Sequence, residues 1–167
     1  TILSSPNFGY RHYLKVLGER SIEGLDLSSV RIIFNGAEPI SLALCDEFMA
    51  RLAPAKLRHS AMFTVYGLAE AAVAVSFPPL DTPYHAEHLN RHQLTIGAPI
   101  QRVAKDSPDA LPLVAVGRAI PNTELRIADD DDTPLPPDHV GHIQIRGGNV
   151  TAGYYQNPTA NAALRSA

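Results

Sequence analysis

The residues best suited to chemistry stand in two short stretches, Tyr66-Gly-Leu-Ala-Glu70 and Asn35-Gly-Ala-Glu-Pro39. Each interrupts an apolar run with a glycine and then offers a carboxylate. A strand that stops at a glycine turn exposes backbone N–H groups. At residues 66–70 an aromatic ring and a negative charge accompany them, a set that suits a nucleotide and its metal ion. Strand–glycine–helix junctions occur throughout α/β proteins, so a plain turn after a core strand is the competing reading at this point.

Three other groups invite chemistry and have simpler explanations. His85, His88 and His92 contain a pair four apart, which on one helix face would suit a metal. Pro, Asn and Gln surround them, and no acidic or cysteine partner stands at ligand spacing, so they read as solvated loop histidines. Asp129 to Asp132 resembles part of a calcium loop without its glycine and terminal glutamate. A hairpin turn before Thr133-Pro134 accounts for it. Cys45 falls on an apolar helix face and reads as a small core residue rather than a nucleophile.

The elements that must position these residues can be read in order. Ser5 and Pro6 predict a helix start, with Ser5 as N-cap. Phe8, Tyr10, Tyr13, Leu14 and Leu17 supply its apolar face, and Gly18 ends it. Residues 30–34, short and β-branched, predict a buried strand. Ser41 offers the cap of a helix over residues 41–52, whose Leu44, Cys45, Phe48, Met49 and Leu52 share one face. Strands are expected over residues 62–66 and 72–77, and a short one over 94–96. A strand–helix–strand order implies a parallel pair, which brings the loops at 35–39 and 66–70 to one sheet edge, where ligands bind in open α/β sheets. After an irregular, proline-bearing stretch come short strands at 113–117, 124–128 and 142–146, the last two alternating as antiparallel strands do. Asn157-Pro158 begins a final helix. The division expected is a partial α/β subdomain over residues 1–80, an inserted loop over 81–112 and an antiparallel β subdomain with a terminal helix over 113–167.

Bulk properties narrow the class. The chain has 167 residues, 45% of them hydrophobic and 19% charged, and a formal net charge of −3. It can hold a real core, offers no basic patch for nucleic acid, and has no apolar run near the ~20 residues of a membrane span. One cysteine excludes an internal disulfide and fits a reducing, cytoplasmic setting. A start at Thr1 without methionine or signal pattern favours a piece of a longer polypeptide.

Five stretches, in order, resemble adenylate-forming enzymes, the superfamily of acyl-CoA synthetases, adenylation domains and luciferases. They are Phe34-Asn-Gly-Ala-Glu-Pro39, Tyr66-Gly-Leu-Ala-Glu70, Val116-Gly-Arg-Ala-Ile-Pro121, Val140-Gly-His-Ile-Gln-Ile-Arg-Gly147 and Gly153-Tyr-Tyr-Gln-Asn-Pro158. Within that superfamily the chain is most similar to the fatty acyl-AMP ligases. Ser5-Pro-Asn-Phe8 looks like that branch's version of its motif, Ala69 stands where most of the superfamily has Thr, and the stretch from Pro83 to Pro112 is longer than in CoA-using relatives.

The resemblance implies an internal fragment of the large domain, parallel α/β followed by an antiparallel, distorted-barrel portion. It implies the reaction of a fatty acid with ATP and Mg2+ to give acyl-AMP and pyrophosphate, and transfer of the acyl group to the phosphopantetheine arm of an acyl carrier protein. By motif match, Asn35, Gly36, Ala37 and Glu38 line the adenine side, Tyr66 stacks on adenine, and Gly67, Leu68 and Ala69 form the nucleotide loop. Glu70 holds Mg2+. Ala69 lacks the hydroxyl that most relatives aim at the α-phosphate, so that phosphate must find other donors. The family's lysine-ended phosphate loop is expected before Thr1 and its Thr-Gly-Asp motif after Ala167, so the fragment alone is expected to be inactive. Competing readings are an acyl-CoA synthetase, an amino-acid adenylation domain, or a non-catalytic nucleotide-binding or interaction module.

Overall fold

A computed structural model describes residues 1–164. The chain forms two compact units, one of Thr1–Tyr66, Ser76–Glu87 and Pro112–Arg118, the other of Gly67–Val75, His88–Leu111 and Ala119–Ala167.

The first unit is built on a three-stranded parallel sheet, β1 (Ile2–Ser5), β2 (Ile32–Asn35) and β3 (Met62–Thr64), in that spatial order. Ile2 stands opposite Ile32, and Ile33 opposite Met62. Helix α1 (Asn7–Leu17) connects β1 to β2, and α2 (Leu42–Leu52) connects β2 to β3. The parallel β2–α2–β3 arrangement agrees with the sequence pattern. Ser41 caps α2 by accepting from Leu44 N at 3.3 Å. All five residues expected on its inner face are buried, each fully buried side chain of this kind contributing about 1.5–3 kcal/mol. They pack with Tyr10, Val30, Ile33, Leu57 and Met62 in one core, where the Tyr10 and Phe48 rings meet edge to face at 5.0 Å. Burial pushes the Cys45 thiol up to about 11, which keeps it protonated and inert. Because strand residues alternate between faces, Phe34, Phe63 and Phe77 form a second apolar cluster, with ring centroids 5.4–5.9 Å apart.

Several expectations need correction here. Ser5 is the last residue of an unanticipated edge strand, and Pro6 occupies the cap of α1. β1 is mostly exposed, so no apolar alternation announces it. Phe8 is 73% exposed, because Tyr10, Leu14 and Leu17 define the buried stripe and Phe8 falls outside it. The strand expected over residues 72–77 shrinks to β4 (Ser76–Phe77). A 3-10 turn at Ala69–Ala71 and two left-handed residues, Ala72 and Val73, occupy the preceding positions.

The chain crosses between the units within β5 (Ala86–Asn90), β6 (Ala110–Val114) and β7 (Arg118–Ala119). The second unit contains the antiparallel ribbon of β8 (Thr123–Ala128) and β9 (His142–Gly147), paired from Thr123–Gly147 to Ala128–His142. Asp129 shapes the turn that leaves β8, its carboxylate accepting from Asp131 N at 3.0 Å and Thr133 N at 2.9 Å. Helix α3 (Pro158–Ala163) is capped by Asn157, which accepts from Ala160 N at 3.1 Å. The stretch expected as an irregular insert is tied down: Gly97 N donates to Val140 O, Ile100 N to Asp138 O, and Arg102 pairs with Asp138 at 2.9 Å. Residues 94–96 form no strand. The expected distorted barrel is not closed among the described residues, since one six-residue ribbon and shorter pairs are too few strands to close a sheet.

Candidate functional site

The candidate residues divide between the units at the Tyr66–Gly67 bond. On the first unit, β2 and β3 end together, with Asn35 O accepting from Val65 N at 2.9 Å. The Asn35 side chain is fully buried and turns inward, its amide N–H groups reaching Asn7 Oδ1 and Cys45 Sγ, each at 3.4 Å. Gly36 lies against Val65, and Ala37 takes a left-handed φ of 68°. Glu38 Oε1 accepts from Phe8 N at 3.0 Å, placing a carboxylate at the N-terminus of α1, where the helix dipole favours it. Asn7 completes the brace by donating to Pro39 O at 2.7 Å and accepting from Ser41 N at 3.1 Å. The 35–39 loop is thus held by the helices on either side of it in sequence. Tyr66, half-buried, exchanges backbone hydrogen bonds with Ser76 at 3.2 and 3.0 Å, which fixes where its ring begins.

Asn7 had no role assigned from sequence, although the Ser5-Pro-Asn-Phe8 stretch drew attention. Replacing Glu38 with Ala is expected to cost about 1 kcal/mol, the usual size of a helix-capping contact, in urea denaturation. Nucleotide affinity, measured by calorimetry, should fall less than for Tyr66→Ala.

On the second unit the loop at 67–75 is folded tightly on itself. A Cβ on Gly67 would sit 1.5 Å from the Val73 carbonyl oxygen, so only glycine fits. Leu68 O accepts from both Ala71 N and Val73 N. Val73 is β-branched, holds φ at 74° and is 76% exposed, a strained residue on the surface. Asn149 holds the loop's far side by donating to Ala71 O at 3.1 Å and Ala74 O at 3.0 Å, and it accepts from Thr123 Oγ1 at 3.1 Å.

Glu70, in the first turn of the 3-10 segment, is gripped twice. Its carbonyl accepts from Thr151 N at 2.7 Å, and its Oε1 accepts from the Tyr154 hydroxyl. The Tyr154 hydrogen bond favours the ionised form and holds the Glu70 carboxyl below the usual carboxylate range, while the same bond raises the tyrosine. Glu70 lines a cavity of about 520 Å3 together with Arg126, Arg146, Thr151 and Gly153. Ala69 beside it is exposed and carries no hydroxyl. Thr151, Tyr154 and Asn149 were missed from sequence as site residues. Tyr154 did stand in a quoted motif, but nothing in spacing reveals a bond across 84 positions.

A profile of AMP-binding enzymes matches residues 1–155. The chain belongs to the AMP-binding enzyme family. This member is 35% identical over 158 residues to a 4-hydroxyphenylalkanoate adenylyltransferase of Mycobacterium marinum, covering 94% of this chain and 25% of that protein. It is 34% identical over 157 residues to a long-chain-fatty-acid–AMP ligase of the same organism, covering 93% and 25%. A solved fatty acyl-adenylate ligase from Legionella pneumophila, in complex with acyl adenylate and pyrophosphate, superposes with a TM-score of 0.86 at 35% identity, covering 96% of this chain and 28% of that one. The AMP-binding chain thus spans about a quarter of the length of the relatives it matches. The mixed architecture, parallel sheet first and antiparallel strands after, is that of adenylate-forming enzymes.

The family implies a magnesium ion. Among the described residues no group of three His, Cys, Asp or Glu side chains could hold a metal by itself. Glu70 offers an ionised, partly exposed carboxylate at the wall of a cavity that Glu124 also lines. That donor set fits Mg2+, which binds one or two carboxylates and completes its shell with phosphate oxygens and water. His92 rests 3.3 Å from Asp109, and His85 is exposed.

Proposed function

We propose that the whole protein containing this chain is an ATP-dependent fatty acyl-AMP ligase. A carboxylate oxygen of the fatty acid attacks the α-phosphorus of ATP, the bond to the β,γ-diphosphate breaks, and acyl-AMP and pyrophosphate result. The observation that carries the reading is Glu70, ionised and held by Tyr154 at the wall of a cavity. The names of the similar enzymes, an adenylyltransferase and fatty-acid–AMP ligases, support the same chemistry.

In this reading Glu70 Oε2 is the ligand offered to Mg2+. When bound, that ion neutralises phosphate charge as it builds during attack. Tyr66 lays its ring against adenine, anchored by its backbone bonds to Ser76. The 35–39 loop contributes a rigid backbone edge, since the Asn35 side chain is buried and the Glu38 carboxylate is engaged with α1. Gly67, Leu68 and Ala69 form the wall nearest the transferring group, and the α-phosphate takes its hydrogen bonds from donors other than residue 69. The phosphopantetheine thiol of a carrier protein, losing its proton, takes the acyl group as the acyl–phosphate bond breaks and AMP leaves, and the setting is cytoplasmic, where ATP is supplied. The 167-residue chain covers about a quarter of the length of its relatives and is expected to be inactive alone.

The test is nucleotide binding and ATP–pyrophosphate exchange by the whole protein with a fatty acid present. Tyr66→Ala is expected to weaken AMP binding about 5- to 150-fold, the ~1–3 kcal/mol of a base–aromatic stack. The unsubstituted protein should exchange, and the 167-residue chain should not. Unchanged AMP affinity in Tyr66→Ala removes the stacking role, and exchange by the short chain contradicts the division of the site.

A further inference from the structure

The resemblance implies a role for Glu70 and none for Tyr154, yet the two are joined. The Tyr154 hydroxyl donates to Glu70 Oε1. Tyr154 is itself built into place: its backbone N donates to Asn161 Oδ1 at 2.6 Å, and Asn161 Nδ2 donates back to the Tyr154 carbonyl at 2.9 Å. That reciprocal clasp needs the chain to pass close to Asn161. Gly153 permits it, with φ at 140° and a Cβ position only 2.6 Å from Asn161 Oδ1. Thr151, three residues before Tyr154, holds the Glu70 backbone through its N–H. One short segment, residues 151–154, therefore fixes both the main chain and one carboxylate oxygen of Glu70.

We infer that Tyr154 is a positioning residue for the magnesium ligand, holding Glu70 Oε1 so that Oε2 is presented to a cation bound with the nucleotide. A carboxylate on a free side chain samples several rotamers, and each must be lost when a metal binds. A hydroxyl fixed on one oxygen removes that freedom beforehand, with a further hydrogen bond from Glu70's own backbone on the carboxylate. Outer-shell partners of this kind act through the ligand they orient. Tyr154 is 39% exposed and acts through the carboxylate it holds. Asn161 belongs to the same device one step further out, because it fixes the backbone that carries the phenol. The inference rests on Glu70 being the metal ligand, so the experiment separates the two.

The measurement is Mn2+ binding to the whole protein, followed by the loss of the free-ion electron paramagnetic resonance signal, with a non-hydrolysable ATP analogue present. Thermal melts of the same samples accompany it. Tyr154→Phe is expected to raise the Mn2+ dissociation constant about 10- to 100-fold, the range for outer-shell partners, while the melting temperature stays close to that of the unsubstituted protein. In exchange assays the Mg2+ concentration for half-maximal rate should rise by a similar factor, with much of the rate recovered at saturating Mg2+. Asn161→Ala should reproduce the direction more weakly. Glu70→Gln sets the reference. If Glu70→Gln weakens Mn2+ binding and Tyr154→Phe does not, the positioning role is wrong and the metal ligand stands. If Glu70→Gln itself leaves Mn2+ affinity unchanged, the reading beneath the inference is wrong and both fall. A Tyr154→Phe protein that loses melting temperature but keeps its Mn2+ affinity shows a structural contact only and overturns the proposal.

Discussion

Glu70→Gln in the whole protein is expected to lower ATP–pyrophosphate exchange about 100- to 1,000-fold, the scale of losing one preorganised electrostatic contact to a reacting group. Glutamine has nearly the same shape and keeps an oxygen that can accept from Tyr154, so the loop should survive. Only the charge is removed. The Glu70 backbone bond to Thr151 N is untouched by the change, and melting temperature should move little. The loss should be partly relieved by higher Mg2+, because a neutral amide oxygen still coordinates a hard cation weakly. Exchange within a few-fold of the unsubstituted rate at low Mg2+ would rule out Glu70 as the ligand.

Gly67→Ala should have the second large effect, for a different reason. The added methyl would lie 1.5 Å from the Val73 carbonyl oxygen, a backbone atom that cannot swing aside as a side chain can. The loop must open, which breaks the bonds from Val73 N and Ala71 N to Leu68 O and loosens the Asn149 clasp on Ala71 and Ala74. Overpacking of this kind costs about 1–3 kcal/mol, measured by urea denaturation. Activity should fall further than stability alone requires, since displacing a catalytic group by about 1 Å can cost on the order of 100-fold. A stable Gly67→Ala protein with normal nucleotide affinity would contradict the loop geometry described above.

These two residues show how the sequence conveys different things. The resemblance places glycine 67 in a nucleotide loop, and the structure shows why that position is glycine in the nearby Val73 carbonyl. A single chain reveals that a backbone must come close and not what it approaches. The α2 face was fully legible, because 3.6-residue periodicity and a serine cap report local structure directly. The parallel pairing of β2 and β3 followed from the helix between them. Residues 72–75 were misread as strand because alanine and valine runs look alike in a strand and in a tight apolar loop. The left-handed Ala72 and Val73 leave no compositional mark. Glu38 and Asn35 were legible as a loop and not as its bracing. Their partners, Phe8, Asn7 and Cys45, lie 10 to 30 positions away or nearby on another element, and only the fold brings them together. Tyr154 is the extreme case, joined to Glu70 by one hydrogen bond over 84 positions.

The activity proposed is acyl-adenylate formation by a ligase that hands its product to a carrier protein. It is tested most directly by giving the whole protein a fatty acid and MgATP, with either CoA or a holo-acyl carrier protein as acceptor, and following acyl-AMP and thioester by mass spectrometry. Acyl-AMP should accumulate without an acceptor, disappear when the holo-carrier is added, and persist when CoA is added alone. Rapid acyl-CoA formation with CoA alone, or no acyl-AMP under any of the three conditions, would contradict it.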